Sequence, residues 1–179
     1  MESLLKDPDQ AVLWRGPMKT AAIRQFIADV NWGELDFLVV DSPPGTGDEP
    51  LSIAQILQTR IEEMTKSEKP SGAVIVTTPQ NVAVSDVRKC VTFCRQIKMP
   101  VLGVVENMSG FVCPECGEHV DIFKTGGGKK MANEMDIPFL GSIPLDPKIV
   151  ETSDAGKPYL TQYKQSEASR DFENIVKQL

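Results

Sequence analysis

Two stretches of the sequence hold residues whose types and spacing can do chemistry. The first is Leu35–Pro50, LDFLVVDSPPGTGDEP. Leu35, Phe37, Leu38, Val39 and Val40 form a short apolar run, Asp41 closes it, and Ser42, Pro43, Pro44, Gly45, Thr46, Gly47 and Asp48 form a turn. A buried strand that ends in an aspartate and opens into a glycine-containing loop sets one carboxylate at the carboxyl edge of a sheet, where open α/β sheets bind ligands. Such an acid holds the magnesium of a nucleotide, directly or through water. The plainer alternative is a strand end closed by an Asx-type turn. The attached PPGTGD favours the ligand site.

The second stretch is Cys113-Pro114-Glu115-Cys116-Gly117. Two thiolates separated by two residues, in a turn that the glycine permits, can grip one tetrahedral ion or one edge of an iron–sulfur cluster. One pair supplies two ligands where zinc and four-iron clusters usually take four. His119 is a third candidate if the ion is zinc. A second chain donating the same pair across a two-fold axis is the simpler completion. A redox dithiol is the alternative, but it expects the pair at a helix N-terminus. Cys90 and Cys94, one helical turn apart in an apolar pattern, read as core cysteines.

Weaker signals lie elsewhere. Asn107 follows an apolar run, and its side-chain amide offers both a donor and an acceptor to a base edge; spacing alone favours a turn-stabilising role. Thr125–Lys130, TGGGKK, is the nearest approach to a G-x-x-x-x-G-K-S/T phosphate loop, which the sequence does not contain. No strand feeds it, and Met131 stands where a magnesium-binding hydroxyl belongs, so it reads as a turn and helix start. Lys129 and Lys130 read as a solvated helix start, and Arg15 as a surface salt bridge.

These residues must be held by alternating helices and strands. Periodicity predicts helices over 17–31, with Ile23, Phe26, Ile27 and Val30 on one face, and over 51–64, on a stripe of Leu51, Ala54, Leu57, Ile61 and Met64. Strands are predicted at Leu35–Val40, Gly72–Thr78, Val101–Glu106 and Ile137–Ser142, the second of them fully buried. Further helices are predicted at 82–97, near 128–135, and over Gln162–Leu179 with Phe172, Ile175, Val176 and Leu179 inward. The alternation implies an α/β fold, a doubly wound, mostly parallel sheet covered on both faces. The loops at 41–48, 77–81, 106–109 and 141–146 should line one edge of that sheet.

Composition sets the bounds. The chain has 179 residues, 41% hydrophobic and 25% charged, enough for a single domain spanning 1–179 with a sizeable core. A linker-like stretch at Lys66–Ser71 is too short to mark a domain boundary. A formal net charge of −6 argues against a general nucleic-acid binder. No apolar run approaches membrane-spanning length and the N-terminus has no signal pattern, so a cytoplasmic protein is expected, its four cysteines thiols or metal ligands and not disulfides.

WRGPMK at 14–19, WGELDFLVVDSPPGTGDEPLS at 32–52, VTTPQ at 76–80, ENMSGFVCPECGE at 106–118 and GSIPLDP at 141–147 resemble the Mrp/ApbC family of iron–sulfur carrier ATPases, relatives of MinD and ParA. The resemblance covers nearly the whole chain and implies a P-loop NTPase-like fold. It implies that Asp41 is the Walker B acid and that Pro43 to Asp48, Gly45 included, form the switch loop facing the γ-phosphate. It makes Asn107 an adenine contact, with Pro144 and Leu145 passing the base. Cys113 and Cys116 become the pair that bridges a labile 4Fe–4S cluster between two subunits of a homodimer, and His119 has no ligand role. In the complete protein ATP and magnesium are bound and the cluster passes to apo iron–sulfur proteins. The family's N-terminal strand and P-loop have no counterpart here. A truncated chain is the favoured explanation over a split protein or a degenerate paralogue. The chain is then a partial ATPase domain, its N-terminal strands absent, and is inactive as an ATPase by itself. The alternative function is a non-enzymatic metal-binding dimerisation module, holding iron–sulfur or zinc.

Overall fold

The computed structural model describes residues 14–64, 71–113 and 116–179, with the side chains of 58–64 excepted. The Lys66–Ser71 stretch and the Ile61 and Met64 stripe positions therefore lie wholly or largely outside the described residues. The chain divides into two compact units, residues 1–59 and 60–179, and the break falls within a helix.

In the first unit, α1 spans Gly16–Ala28, with Pro17 in its first turn, where a missing N–H costs nothing. The start of α2 (Asp48–Met64) carries Asp48 and Glu49, acids that suit the positive end of a helix. Lys19 on α1 pairs with Glu49 at 2.5 Å, and the Thr20 and Ser52 hydroxyls meet at 2.8 Å. That lysine holds the Glu49 carboxyl below its ordinary range. No residue of α1 is buried, and Phe26 and Val30 of its predicted inner face stand 40% and 41% exposed.

The predicted strand at Leu35–Val40 does not form: the segment carries no ladder, and Phe37 and Val39 are 79% and 88% exposed. A β-preference is a preference for a paired, half-buried surface. No partner strand pairs with this segment among the described residues, so its apolar side chains meet solvent.

The second unit is a sheet with helices on both faces. Its strands are β1 (Ala73–Thr77), β2 (Val101–Val112), β3 (His119–Val120) and β4 (Phe139–Leu145). β2 is central, parallel to β1 on one side and to β4 on the other, and β3 folds back antiparallel on its far end. Alternation along β2 sends Val104 to one face and Val105 to the other. Val104 packs with Ile75, with Val91 and Cys94 of α3 (Asn81–Gln96), and with Met131 and Ala132 of α4 (Gly127–Glu134). Val105 packs with Leu140, Ile143 and Tyr159 and with Ala168 and Ile175 of α7 (Glu167–Val176). The sheet is therefore mostly parallel and doubly covered, as the α/β reading requires.

Several boundaries differ from expectation. β2 runs six residues past Glu106, so the 106–109 loop is a bent stretch of strand. β4 is shifted toward its C-terminus, to Phe139–Leu145. β1 is not fully buried: Val74 and Val76 are 37% and 57% exposed, because the strand is an edge of this sheet and only one face is covered. The helix predicted over Gln162–Leu179 forms as α7, shorter at both ends, and two helices that were not predicted precede it, α5 (Pro147–Asp154) and α6 (Tyr159–Gln162). Ala168, Ser169 and Ile175 of α7 are buried and Phe172 packs against the same cluster, as predicted for Phe172 and Ile175, while Val176 and Leu179 are exposed. Gly141 admits α7 to the sheet, since a Cβ there would lie 2.8 Å from Ile175 Cγ1.

A polar knot fixes the tail. Asp146 caps α5 by accepting the Lys148 N–H at 2.8 Å and accepts the Tyr159 hydroxyl at 2.5 Å. Burial first, and the Asp146 hydrogen bond second, push the Tyr159 hydroxyl's pKa up. Ser166 caps α7 and meets the same tyrosine at 2.9 Å. The knot sits directly after Pro144 and Leu145 and anchors the chain that leaves β4.

Candidate functional site

The Asp41–Asp48 turn belongs to the first unit. Asp41 and Pro43 are exposed and Gly45 is half-buried, with φ at +95°, a value that glycine adopts without a Cβ penalty. Among the described residues Asp41 makes no ion pair or hydrogen bond, so its carboxylate is available as a hard oxygen ligand. Asp48 opens α2 and faces a groove of about 790 Å³ that Gly16, Pro17, Thr20 and Arg24 of α1 also line. A Cβ on Gly16 would lie 2.5 Å from Asp48 Oδ2, so the start of α1 approaches that carboxylate closely. Arg15 forms no ion pair among the described residues; only its backbone carbonyl is engaged, accepting the Met18 and Lys19 N–H groups at 3.0 and 3.1 Å.

The other predicted residues belong to the second unit. Asn107 on β2 pairs in register with Ile143 on β4, beside Pro144, and Phe111 pairs with Leu145. Asn107, Pro144 and Leu145 are thus brought to one part of two adjacent parallel strands. The register slips between Asn107 and Phe111, and Met108 takes a left-handed φ of +57°. A non-glycine residue in that region is uncommon and clusters at functional sites. Asn107 Oδ1 accepts the N–H of Met108 at 2.9 Å, which fixes the side-chain amide.

Cys113 follows the last residue of β2, and the β2–β3 hairpin carries the cysteine pair at its tip. Cys113 N–H donates to the Glu118 carbonyl at 2.9 Å, and Gly117 N–H donates to the Cys113 carbonyl at 2.8 Å. Gly117 has φ at +73°, the turn conformation that its type permits. Cys116 is exposed and Cys113 half-buried, on a knuckle-like loop and not at a helix N-terminus. Among the described residues no third His, Cys, Asp or Glu joins the pair in a metal-binding group, so His119 is not brought to it. Cys94 is buried in the core beneath α3, and burial, with Cys90 second, raises its thiol pKa.

Sequence reasoning missed Glu106. Its carboxylate is fully buried and accepts from Ser109 Oγ at 2.5 Å, from Gly126 N–H at 2.8 Å and from Gly128 N–H. The glycine run therefore surrounds the chain's own anion at the start of α4 and is no phosphate loop; Met131, four residues on, is core. The available signal was an acid ending an apolar run, with Ser three residues later and a glycine triplet downstream.

With this geometry in hand, likeness to known proteins becomes informative. The chain is 49% identical over 176 residues to the chicken (Gallus gallus) cytosolic Fe-S cluster assembly factor NUBP2, covering 98% of this chain and 62% of that protein. It is 47% identical over 180 residues to the Saccharomyces cerevisiae cytosolic Fe-S cluster assembly factor CFD1, covering 98% of this chain and 59% of that protein. The chain thus spans about three-fifths of the length of these curated relatives. Among solved structures, an Archaeoglobus fulgidus nucleotide-binding protein in complex with ADP aligns with a TM-score of 0.64 at 37% identity, over 85% of this chain and 60% of its own. The Pyrococcus furiosus cell division ATPase MinD aligns with a TM-score of 0.61 at 19% identity, over 94% of this chain and 62% of its own, and supports the fold alone. All of residues 1–179 match the ParA family described as NUBPL iron-transfer P-loop NTPase. On that match and these identities, the chain belongs to the NUBPL-type iron-transfer P-loop NTPases of the ParA family.

Proposed function

We propose that this chain is the cluster-carrying part of an ATP-dependent iron–sulfur assembly factor that works in the cytoplasm. The observation that carries the reading is the hairpin-tip pair Cys113 and Cys116: two thiols, one exposed and one half-buried, with no third ligand beside them among the described residues. Half of a four-cysteine set invites a second copy. The cargo is a labile 4Fe–4S cluster shared across a homodimer and handed to apo iron–sulfur proteins. A cluster held by two thiolates from each chain at an accessible tip can be released by exchange with an acceptor's own thiolates.

The two units belong, on this reading, to one ATPase domain of the whole protein. Asp41 is its Walker B acid and would hold magnesium; the ion supplies charge neutralisation to the phosphates when bound. Pro43, Gly45 and Asp48 form the switch segment, whose glycine lets the turn change conformation as the γ-phosphate comes and goes. Asn107, with its amide fixed by the bend at Met108, reads the adenine edge, and Pro144 and Leu145 flank the base. β2 carries Asn107 and, past the bend at Met108, runs to Val112 beside Cys113, which gives the nucleotide a covalent path to the cluster ligands.

The absence of a G-x-x-x-x-G-K-S/T segment from these 179 residues favours a second reading for the chain alone, a non-enzymatic dimerisation module holding iron–sulfur or zinc. Titration calorimetry with magnesium-ATP is expected to give a Kd weaker than about 1 mM and no turnover. Submillimolar binding with turnover abolished by Asp41→Ala contradicts that expectation. Metal analysis and absorbance after anaerobic reconstitution decide between cargo types: iron with equimolar sulfide supports the carrier, and zinc alone refutes it.

A further inference from the structure

Glu106 is an acid in the middle of a strand whose preceding residues, Gly103, Val104 and Val105, are all buried, and it is 0% exposed itself. An ionised carboxylate can only accept hydrogen bonds, and three donors surround this one. Two are backbone N–H groups at the start of α4, where a helix has donors without intrahelical partners. The third is the hydroxyl of Ser109, three residues along the same strand. The helix start reaches the acid only because its residues lack side chains. A Cβ on Gly127 would lie 2.2 Å from the Pro79 carbonyl oxygen, and one on Gly128 would lie 2.8 Å from Thr77 Cγ2 and 3.1 Å from Glu106 Oε2.

These bonds bracket the irregular part of β2. Glu106 and Ser109 are the two ends of the segment that contains Asn107 and the left-handed Met108. Pairing with β4 holds Glu106 and Asn107 and slips between Asn107 and Phe111, so the ladder does not hold Met108 and Ser109. The side chain of Asn107 is set by the same bend, through its bond to Met108 N–H. We infer that Glu106 is a positioning residue: its carboxylate, clamped by α4 on one side and by Ser109 on the other, holds the Asn107–Ser109 bend and so aims the Asn107 amide at an adenine edge. The last step rests on the base-contact reading of Asn107 proposed above. A carboxylate that merely capped α4 would need neither Ser109 nor the left-handed residue.

The test uses the isotope-labelled full chain in NMR. The readouts are the backbone signature of Met108, the side-chain amide pair of Asn107, and the shift of that pair on adding adenosine. Ser109→Ala leaves the carboxylate and the α4 bonds in place. It is expected to abolish the left-handed signature of Met108, to collapse the dispersion of the Asn107 amide pair and to abolish the adenosine-induced shift. Ser109→Thr, which keeps a hydroxyl, is expected to restore all three. Glu106→Gln turns an NH₂ toward a backbone N–H and is expected to match Ser109→Ala; if it does not fold, the Ser109 pair decides. Ser109→Ala with wild-type Met108 and Asn107 signals overturns the positioning role. The adenosine arm on the wild type is separate and is run to the solubility limit of adenosine, because the chain alone is expected to bind nucleotide weakly: no shift there refutes the base contact of Asn107, while the Met108 and amide signals still decide what Glu106 positions.

Discussion

Replacing Cys113 and Cys116 together by alanine is expected to abolish retained iron in the anaerobically reconstituted chain and to leave the thermal midpoint of the cluster-free chain within about 2 °C of the cluster-free wild type. The two halves of that expectation have different causes. Iron is lost because thiolates are the ligands that a cluster requires and, among the described residues, no third His, Cys, Asp or Glu joins the pair in a metal-binding group. Stability is kept because Cys116 is exposed and Cys113 sits half-buried past the end of β2, outside both buried clusters. Substitutions of that kind usually change stability by less than about 0.5 kcal/mol. Cys94→Ala is the contrasting control: that thiol is 5% exposed and packed in the core, so its loss weakens the fold and spares the iron. A double variant that keeps its full iron content refutes the hairpin tip as the cargo site.

Met131→Ala is expected to have the largest effect on stability, a loss of about 2–5 kcal/mol read from the denaturant midpoint. Met131 is fully buried and packs in the cluster with Ile75, Val91, Cys94, Val104 and Ala132, between the sheet and α3. Truncation to alanine forfeits the transfer energy of the side chain and leaves a cavity that strands on one side and a helix on the other cannot readily close. Against a typical domain stability of about 5–15 kcal/mol, that is a large fraction. In sequence the same residue stood where a phosphate loop needs a hydroxyl. If it bordered a nucleotide instead of the core, the midpoint would hardly move.

Met131 illustrates what could be read from the chain and what could not. The helix stripe through Val84, Val87, Val91 and Cys94 was legible because it lies in a region where local periodicity and tertiary packing agree. So were the parallel apolar strands around Val74 and Val104, since an apolar β-branched run has few other uses. Leu35–Val40 had an equally strong pattern and forms no strand. A strand is defined by its neighbour, and propensity is silent on whether a neighbour exists. The cysteine hairpin could be placed because its spacing is local chemistry. Glu106 could not: its partners Gly126 and Gly128 are 20 and 22 residues away, and a buried carboxylate looks like any strand-end acid until the donors around it are known. The glycine run likewise looked like a turn because the reason for its missing side chains, the backbone of Pro79 and the side chain of Thr77, lies on another element.

The bend at Met108 separates the part of β2 held by two parallel neighbours from the part that pairs with β3 at Phe111 and Val112, after which Cys113 follows.

The central claim is that each chain supplies half of a cluster site. Native mass spectrometry of the anaerobically reconstituted protein tests it most directly. The account predicts two chains carrying one 4Fe–4S cluster, falling apart to monomers when the cluster is stripped by a chelator. A monomer that retains a complete cluster, or a dimer that persists with zinc alone and takes up no iron, would contradict it.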